Sequence, residues 1–403
     1  MSKNKDGSGD PGVLIAGGGL AGQRCAETLR RRGYEGPVRM LCAEKEAPYD
    51  RPPLSKGVLA GSVEEASVGF RPGDWYEENE VELLLGSRAA GLEPGPRLVF
   101  LDEGEPVPYG KLLIASGGEP RRLPFLEGFE NVHYLRTLAD ARRLRAELAP
   151  GARLAIVGAG FIGQEVAATA LRLGAGVTMI EAMEVPLAPI LGAELGRWFA
   201  DLHREEGVRL LTGALLEGAR GGRRVQQLQL ADGTKVDCDL VVAGIGTVPA
   251  TGWLDGSGLG ERGVQVDAAG RTALPDVYAA GDASVPFDHR FGVHARTEHW
   301  DAAAWQGAAA ARAMLGEEAG TPPLPSFWSD QYGVRIQSVG HPHFGDSVLV
   351  EGDHACRDFE AVFVREGRPV AGLTVARPRS IPALRKRIEA GHQAAREEEE
   401  VPA

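Results

Sequence analysis

Short apolar runs and helix-length polar segments alternate through the first part of the chain. The run GVLIAGGG at residues 12–19 is followed by the helix-forming stretch RCAETLRRR and then by the apolar run PVRMLC. The same order returns at LAIVGAG, where a helix-length segment extends to Leu173 and the run GVTMI comes next. Buried runs separated by helices are typical of strand–helix–strand units with a parallel sheet. The pattern therefore predicts two such units.

Further along, the hydrophobic pattern changes. The segments RIQSVG, SVLVEG and FEAVFVREGRPVAGLTVA predict strands, and the amphipathic stretch IPALRKRIEAG predicts one helix after them. Strands followed by a single helix favour a separate small α+β domain. Between the units, short strands are expected in VELLLGSRAAGLEP and around the ADGT turn, and helices in ADARRLRAELAP, ELGRWFADLHREEG and residues 298–315.

Each strand–helix–strand unit carries a glycine fingerprint. The first reads Gly17-x-Gly19-x-x-Gly22 with Glu44 after the second strand, and the other begins at Gly158 and ends with Glu181. Glycines allow a tight turn and close approach of a pyrophosphate, the helix N-terminus favours its negative charge, and the acid accepts ribose hydroxyls. Two complete fingerprints predict two bound dinucleotides, and two dinucleotides side by side usually exchange electrons.

These patterns predict an α/β protein with two Rossmann-like domains and a small C-terminal α+β domain. The first dinucleotide domain is discontinuous, and the second is inserted into it. The predicted boundaries are 1–11 for a disordered N-terminus, 12–120 and 247–324 for the first domain, 121–246 for the second, 325–392 for the C-terminal domain and 393–403 for an acidic tail, expected to be disordered.

Composition and charge narrow the class of protein. The chain is 43% hydrophobic and 25% charged, which is ordinary for a soluble globular protein, and no apolar stretch approaches the ~20 residues of a membrane helix. The segment MSKNKDGSGDPG has no apolar signal core, so a cytoplasmic location is expected. The formal net charge of −12 argues against nucleic-acid partners.

Cysteine spacing excludes one common route for electrons. Cys25, Cys42, Cys238 and Cys356 lie far apart, without a CxxC or CxxxxC pair, so a redox disulfide between closely spaced cysteines is not expected. Cys25 and Cys42 are expected to be small buried residues. His341 and His343 form an HxH pair, but ordinary loop histidines are favoured over a metal site, and no metal is predicted.

Three further segments suggest chemistry. The loop PYDRPPLSK, stiffened by prolines, ends in Lys56. In VYAAGDAS, Asp282 follows the end of a predicted strand. A predicted helix begins near Trp300, where its dipole could stabilise a negative charge. Together with the fingerprints and with LIASGGEPRRLP, YLRTLADA, GIGTVPAT, RTEHW and FWSDQYG, these segments resemble the FAD-dependent NADH:ferredoxin reductase family, of the putidaredoxin reductase type. The resemblance covers residues 12–391 and implies a glutathione-reductase type of fold without the redox disulfide.

The resemblance implies a role for individual residues. Glu44 would bind the adenosine ribose of FAD, Arg136 the diphosphate, Asp282 the ribityl chain, Lys56 the isoalloxazine, and the Trp300 backbone amide the flavin's carbonyl edge. The residues implied to contact FAD are Gly17, Gly19, Leu20, Ala21, Gly22, Glu44, Arg51, Lys56, Ala89, Arg136, Asp282 and Trp300. Those implied to contact NADH are Gly158, Gly160, Phe161, Ile162, Gly163, Glu181, Gly246 and Glu298.

Lys56, Glu165 and Trp328 are the predicted catalytic residues. Glu165 follows Gly163 by two residues, so it lies at the start of a helix and is expected to pair with Lys56 at the reactive edge of the flavin; the alternative is a surface salt bridge. Trp328 is implied to border the flavin. Glu181 would repel a 2′-phosphate and so favour NADH over NADPH.

The sequence departs from the family after Glu181. Members often carry arginines there, whereas this chain has Glu184, Val185 and Pro189. Whether this change weakens NADH binding is left open by the sequence.

The predicted reaction passes electrons from NADH through FAD to a ferredoxin or Rieske-type iron–sulfur protein, with the reductase a monomer or homodimer. Arg377, Arg379, Arg385, Lys386 and Arg387 are the candidate docking patch for this acidic partner. The alternatives are an NADH oxidase or peroxidase, a non-catalytic flavoprotein similar to apoptosis-inducing factor, and a rubredoxin or nitrite-reductase partner.

Overall fold

The computed structural model describes residues 11–260 and 262–399, with side chains to residue 391. The N-terminus predicted to be disordered lies, except for residue 11, outside this range. The helices are α1 (Leu20–Arg31), α2 (Gly57–Ala60), α3 (Gly73–Glu78), α4 (Leu138–Glu147), α5 (Phe161–Arg172), α6 (Ala188–Glu205), α7 (Trp300–Met314) and α8 (Ile381–Glu399).

Strands outnumber helices throughout the described chain. In order they are β1 (Val13–Ala16), β2 (Val38–Cys42), β3 (Val81–Leu85), β4 (Ala89–Glu93), β5 (Leu98–Leu101), β6 (Val107–Pro108), β7 (Lys111–Ile114), β8 (Gly118–Pro120), β9 (Val132–His133), β10 (Arg153–Val157), β11 (Gly176–Ile180), β12 (Arg209–Leu211), β13 (Leu216–Gly221), β14 (Val225–Leu230), β15 (Lys235–Asp237), β16 (Leu240–Ala243), β17 (Thr247–Pro249), β18 (Val264–Val266), β19 (Val277–Ala279), β20 (Ser284–Asp288), β21 (Val293–His294), β22 (Ser326–Gln331), β23 (Val334–Gly340), β24 (Ser347–Asp353), β25 (Asp358–Arg365) and β26 (Arg368–Val375).

Two structural units divide the chain. The first contains the described residues up to Asp50 together with Val68–Glu119 and Val248–Pro323. The second contains Arg51–Ser67, Pro120–Thr247 and the chain from Leu324 onward. The segment 51–67, inside the predicted range 12–120 of the first domain, thus packs with the second unit, where Leu59 lies in a core with residues of α4 and α5. The inserted and C-terminal domains predicted from the sequence fall in this same unit.

The first unit is built on a parallel five-stranded sheet with the order β19-β7-β1-β2-β3. The strands alternate their side chains between two buried faces, as a covered parallel sheet requires. Val13 and Ile15 of β1 join the core formed with α1 and α7, whereas Leu14 and Ala16 face the antiparallel sheet β4-β5-β6.

The second unit repeats this architecture. Its parallel sheet has the order β12-β11-β10-β16-β9, with α4 and α5 on one face and the antiparallel sheet β13-β14-β15 on the other. Thr137 caps α4 and forms a reciprocal capping box with Asp140, which fixes the start of this helix. Both fingerprints thus lie on the predicted strand–helix–strand units, and the predicted fold class is confirmed.

The C-terminal part of the second unit is an antiparallel sheet of order β22-β23-β26-β25-β24 covered by α8. Leu384 and Ile388 of α8 pack on Val339 and Val362. The helix is longer than predicted: it extends to Glu399, so residues 393–399 of the tail predicted to be disordered are helical. Ala, Gln, Arg and Glu all have high helix propensity, which explains the extension. Residues 400–403 of the tail lie outside the described range.

None of the described helices is long and apolar enough to cross a bilayer. Among the described residues, no group of three or more His, Cys, Asp or Glu side chains is arranged to hold a metal ion. The rings of His341 and His343 lie 5.6 Å apart and both contact Phe344, so this pair is part of an aromatic cluster.

Candidate functional site: two dinucleotide cradles and a buried ion pair

In the first fingerprint, two glycines are needed for close packing of the backbone, and the third leaves room for a ligand. A Cβ on Gly17, whose φ is +133°, would lie 2.0 Å from the Ala115 carbonyl oxygen, and one on Gly22 would lie 2.1 Å from the Gly17 oxygen. A Cβ on Gly19 would meet nothing within 4 Å. The outer glycines are therefore required by packing, while the middle one opens a space at the N-terminus of α1, where a pyrophosphate fits.

The second fingerprint has the same geometry. A Cβ on Gly158 would lie 2.4 Å from the Gly244 oxygen, and one on Gly163 would lie 2.4 Å from the Gly158 oxygen. The nearest atom to a Cβ on Gly160 would be 4.0 Å away. The space opens at the N-terminus of α5. We call the space beside Gly19 at the N-terminus of α1 the first cradle, and the space beside Gly160 at the N-terminus of α5 the second cradle. Each unit thus contains one cradle that suits a dinucleotide.

The two predicted ribose acids follow equivalent strands but have different partners. Glu44 follows β2 and accepts a short hydrogen bond from the Tyr49 hydroxyl. Glu181 directly follows β11, and its carboxylate accepts from the backbone N–H groups of Ala159 (2.7 Å) and Met183 (2.9 Å). The Ala159 contact places the charge of Glu181 against the fingerprint turn itself, as a residue that selects between ribose and 2′-phosphate requires.

Three elements of the first unit converge beside the first cradle. Gly281 packs against Ala21 in the first turn of α1 and Ala303 in the first turn of α7. Asp282, predicted for the ribityl chain, is the next residue, on a 3-10 helix (Gly281–Ala283). The N-termini of α1 and α7 and the Asp282 segment therefore lie together.

The other predicted FAD and NADH residues of the first unit lie at element ends. Leu20 begins α1, Ala89 begins β4 and Trp300 begins α7. The first N–H groups of a helix have no acceptor within the helix, which is consistent with the contact predicted for Trp300. The Trp300 indole donates to Asp50 at 2.8 Å, and Glu298 forms an ion pair with Arg296.

The second unit contains the ion pair expected from the sequence. Lys56 Nζ lies 2.7 Å from Glu165 Oε2. The Glu165 side chain is 6% exposed and that of Lys56 20%, so the pair is not a surface salt bridge, and its catalytic role stays a prediction. The loop bearing Lys56 is tied to α5 a second time, because Thr169, one turn after Glu165, donates to the Ser55 carbonyl at 2.8 Å.

Glu165 has two further donors that the sequence analysis missed. The Ser55 hydroxyl donates to Oε2 at 2.5 Å, and the Ser329 hydroxyl of β22 donates to Oε1 at 2.7 Å. A buried carboxylate needs such donors to remain charged. The period-two placement of Ser329 and Gln331 in β22 was the available sequence signal, since it puts both on one face of the strand.

The Lys56 ammonium retains one donor. Its bonds within the described residues are to Glu165 Oε2 and, at 3.2 Å, to the Pro52 carbonyl. An ammonium has three N–H groups, so one is left for a partner outside the protein. This partly exposed donor suits a flavin carbonyl or ring nitrogen.

The remaining predicted residues of the second unit occupy several elements. The Arg51 guanidinium donates to the Arg136 carbonyl at 2.6 Å, which brings these two together. Phe161 packs on other aromatic rings at the start of α5, whereas the neighbouring Ile162 is 50% exposed. Gly246 follows β16, and Trp328 lies under the Arg335 guanidinium, next to Ser329.

The four cysteines are free thiols. Cys25, Cys42 and Cys238 are buried; burial raises the pKa of Cys42 to about 12 and of Cys238 to about 11, and raises the pKa of Cys25 further. Reactive cysteines have a lowered pKa instead. Cys42 packs beneath the fingerprint, since a Cβ on Gly18 would lie 2.5 Å from its sulfur. The expected packing role of Cys25 and Cys42 is confirmed.

Known proteins share this architecture. Residues 11–307 match the family described as pyridine nucleotide-disulphide oxidoreductase, and residues 326–400 match a reductase C-terminal domain. The chain is 39% identical to the ferredoxin–NAD(+) reductase component of the anthranilate 1,2-dioxygenase system of Burkholderia cepacia, over 95% of each chain. It is 41% identical to the ferredoxin reductase subunit of 5,5'-dehydrodivanillate O-demethylase from Sphingobium sp., over 89% of this chain and 88% of the relative.

A solved structure agrees with these relatives. The reductase in the covalent putidaredoxin reductase–putidaredoxin complex superposes with a TM-score of 0.90 and 32% identity, covering 93% of each chain. The family resemblance and the FAD and NADH cofactors predicted from the sequence are thereby confirmed. The chain belongs to the pyridine nucleotide-disulphide oxidoreductase family, within its FAD-dependent, NADH-oxidising ferredoxin reductases.

Proposed function

We propose that this chain is the reductase component of an oxygenase system, taking electrons from NADH and delivering them to a ferredoxin-type iron–sulfur protein. The observation that carries the proposal is the pair of open cradles, one in each unit, combined with the buried Lys56–Glu165 pair. When bound, FAD supplies the conversion between a two-electron donor and a one-electron acceptor. The relatives described above are ferredoxin reductases, which favours an iron–sulfur protein as the acceptor.

The chain's own residues bind and orient the two dinucleotides. The N-termini of α1 and α5 receive the pyrophosphates, and Glu44 and Glu181 hold the riboses. We assign the remaining N–H of Lys56 to the flavin and the exposed Ile162 to the nicotinamide, where each restricts the orientation of a ring. Fixed positive charge near a group that becomes more negative on reduction favours electron uptake.

A nucleotide preference follows from charge. The Glu181 carboxylate at the fingerprint turn repels a 2′-phosphate, and the nearby Glu184 adds a second negative charge to this loop. NADH is therefore the proposed donor, and because NADH is supplied in the cytoplasm, we place the reaction there.

The docking surface for the acceptor remains a proposal. Of the five candidate residues, Arg377 is paired with Asp358 and Arg385 donates to the Leu324 carbonyl. Arg379, Lys386 and Arg387 are exposed on and beside α8. These three residues are the part of the patch that can meet an acidic partner.

The test uses the purified protein loaded with FAD. Anaerobic NADH should bleach the flavin, and NADPH should do so far more slowly. With NADH present, reduction of cytochrome c should require an added [2Fe–2S] ferredoxin. NADH consumption at full rate with oxygen alone would instead indicate an oxidase, and a yellow protein that NADH cannot bleach would contradict the proposal.

Thiol alkylation separates this mechanism from a cysteine-dependent one. Iodoacetamide at neutral pH should label the exposed Cys356 and spare the three buried thiols. The rate of NADH-dependent ferricyanide reduction should be unchanged by alkylation, in the wild-type protein and in C356S. Loss of this rate on alkylation of either protein would indicate a thiol on the electron path.

A further inference from the structure

A chain of buried polar side chains joins Glu165 to the C-terminal sheet. Ser329 Oγ donates to Glu165 Oε1, and Gln331 Nε2 donates both to Ser329 Oγ at 3.0 Å and to Gln164 Oε1 at 3.1 Å. Ser329, Gln331 and Gln164 are each no more than 1% exposed. Buried polar groups with so many mutual bonds restrict one another's rotamers.

A buried aromatic pair lies next to this chain. The Tyr332 hydroxyl lies 2.6 Å from His203 Nδ1, and His203 is 1% exposed at the end of α6. Burial lowers the pKa of His203 to about 4, with Gln331 partly opposing the effect, so the imidazole is neutral at physiological pH. Neutral His203 can accept from Tyr332 at Nδ1, while its Nε2 makes no hydrogen bond to the described residues.

Two of these hydrogen bonds lead to the carboxylate: Gln331 donates to Ser329, and the Ser329 hydroxyl donates to Glu165. An amide such as Gln331 does not readily pass a proton along a chain, so this arrangement suits positioning rather than proton transfer. The hydrogen bond from Ser329 holds Oε1 of Glu165 in place, and Oε2 of Glu165 then accepts from Lys56 and Ser55.

We propose that Ser329 is a positioning residue: it sets the rotation of the Glu165 carboxylate and thereby the location of the Lys56 ammonium. The inference rests on the proposed function, in which Lys56 faces the flavin. Through Ser329, a strand of the C-terminal sheet determines the electrostatics of a pair contributed by a loop and by α5. Without this hydroxyl, Oε1 would lose its donor and the carboxylate would be free to rotate away from Lys56.

The experiment compares S329A with S338A. Ser338, on β23, is equally buried, but its hydroxyl donates to the Gly372 carbonyl and not to Glu165. Both substitutions are made in the wild-type and E165Q backgrounds. In the FAD-loaded proteins, the rate of flavin bleaching at saturating anaerobic NADH and the half-saturating NADH concentration are measured. In the FAD-free proteins, the urea midpoint of unfolding is measured.

For S329A, bleaching should slow about tenfold at an unchanged half-saturating concentration, because a hydrogen bond to a charged group is lost. S338A should bleach at the wild-type rate. In the E165Q background, S329A should slow bleaching little further, and its shift in the urea midpoint should be smaller than in the wild type. S329C, which retains a weak donor of similar size, replaces S329A if the latter does not fold, and should also slow bleaching.

Two results would overturn the inference. The first is that S329A, or S329C if S329A does not fold, bleaches as fast as S338A. The second is that the substitution of Ser329 slows bleaching by the same factor in the wild-type and E165Q backgrounds. Failure of the wild-type protein to bleach would contradict the proposed function instead. In that case the urea midpoints still decide whether Ser329 and Glu165 are coupled.

Discussion

A buried carboxylate such as Glu165 remains charged only when donors replace the water it has lost. Two of these donors, Ser55 and Lys56, are neighbours in one loop, whereas the third, Ser329, comes from a strand far along the chain. At the scale of single residues, the structure thus assigns different tasks to side chains that look alike in the sequence. The glycines of one fingerprint likewise have different tasks, since some are required by packing and one leaves space for a ligand.

Replacement of Lys56 by Met tests the ion pair. K56M removes the ammonium and leaves Glu165 charged and buried, which typically costs 3–5 kcal/mol; the partial exposure of Lys56 places the expected loss at about 3 kcal/mol. The free energy of unfolding is measured in urea and the rate of flavin bleaching by stopped flow. The double variant K56M/E165Q should recover much of the stability but not the rate. Equal rates in K56M and the wild type would remove Lys56 from the proposed mechanism.

The glycines of the first fingerprint should separate ligand binding from folding. G19A adds a methyl group in open space, so the FAD-free protein should unfold at the wild-type temperature while its affinity for FAD falls at least tenfold. G22A places the methyl group 2.1 Å from a carbonyl oxygen and should destabilise the fold by about 1–3 kcal/mol. Thermal unfolding and FAD titration measure both effects. Equal FAD affinity in G19A and the wild type would contradict the assignment of the cradle.

At the scale of elements, α1 and α7 pack closely against each other beside the first cradle. A Cβ on Gly307 in α7 would lie 2.1 Å from the Ala21 carbonyl oxygen of α1. Small residues along α7, including Ala303 and Ala310, continue this contact. Helices pack this closely only where side chains are small, so the alanine-rich composition of α7 reflects its packing.

G307A should separate the two helices and lower both stability and FAD retention. The expected loss is about 1–3 kcal/mol, the usual cost of overpacking. G73A is the matched control, because Gly73 is also helical but a Cβ there meets nothing within 4 Å. Its higher helix propensity should leave stability unchanged or raise it. Unfolding midpoints and the ratio of flavin to protein absorbance measure the effects, and equal behaviour of the two variants would contradict this account of α7.

At the scale of the whole molecule, the stability of the fold should depend on pH through buried histidines. Burial lowers the pKa of His203 from 6.5 to about 4, so below pH 6.5 the unfolded chain binds a proton that the folded one does not. Unfolding is therefore favoured as pH falls from 6.5 to 4, and stability is fully present above this window. Burial lowers the pKa of His133 as well, so it adds to the same trend.

H203Q should lose less stability than the wild type between pH 6.5 and pH 4. The difference should reach roughly 3 kcal/mol at the acidic end, from the size of the pKa shift. Urea unfolding at a series of pH values measures it. The control H294Q removes an exposed imidazole and should keep the full wild-type loss. Parallel curves for H203Q and the wild type would show that the His203 imidazole does not titrate as stated.

Much of the fold could be predicted from local signals. Buried strands such as β1 and β10 are short apolar runs, and the glycine turns after them mark the starts of α1 and α5. The predicted α8 was too short, because the negative charge of the acidic tail was taken to indicate disorder. The Ala, Gln, Arg and Glu residues of this tail are good helix formers. The packing of residues 51–67 with the second unit could not be predicted, since it depends on contacts of Leu59 with residues more than 80 positions away.

The sequence by itself determined the two fingerprints, the acids after them and the absence of closely spaced cysteines, because each is a matter of local spacing. It also predicted the pairing of Lys56 with Glu165, from the position of Glu165 at the start of a helix. Only the tertiary structure showed that the pair is buried and that Ser55, Ser329 and Gln331 complete it. The physical reason is that strand and turn propensities act over a few residues, whereas the donors of a buried charge are chosen by proximity in space across 110 to 164 positions of the chain.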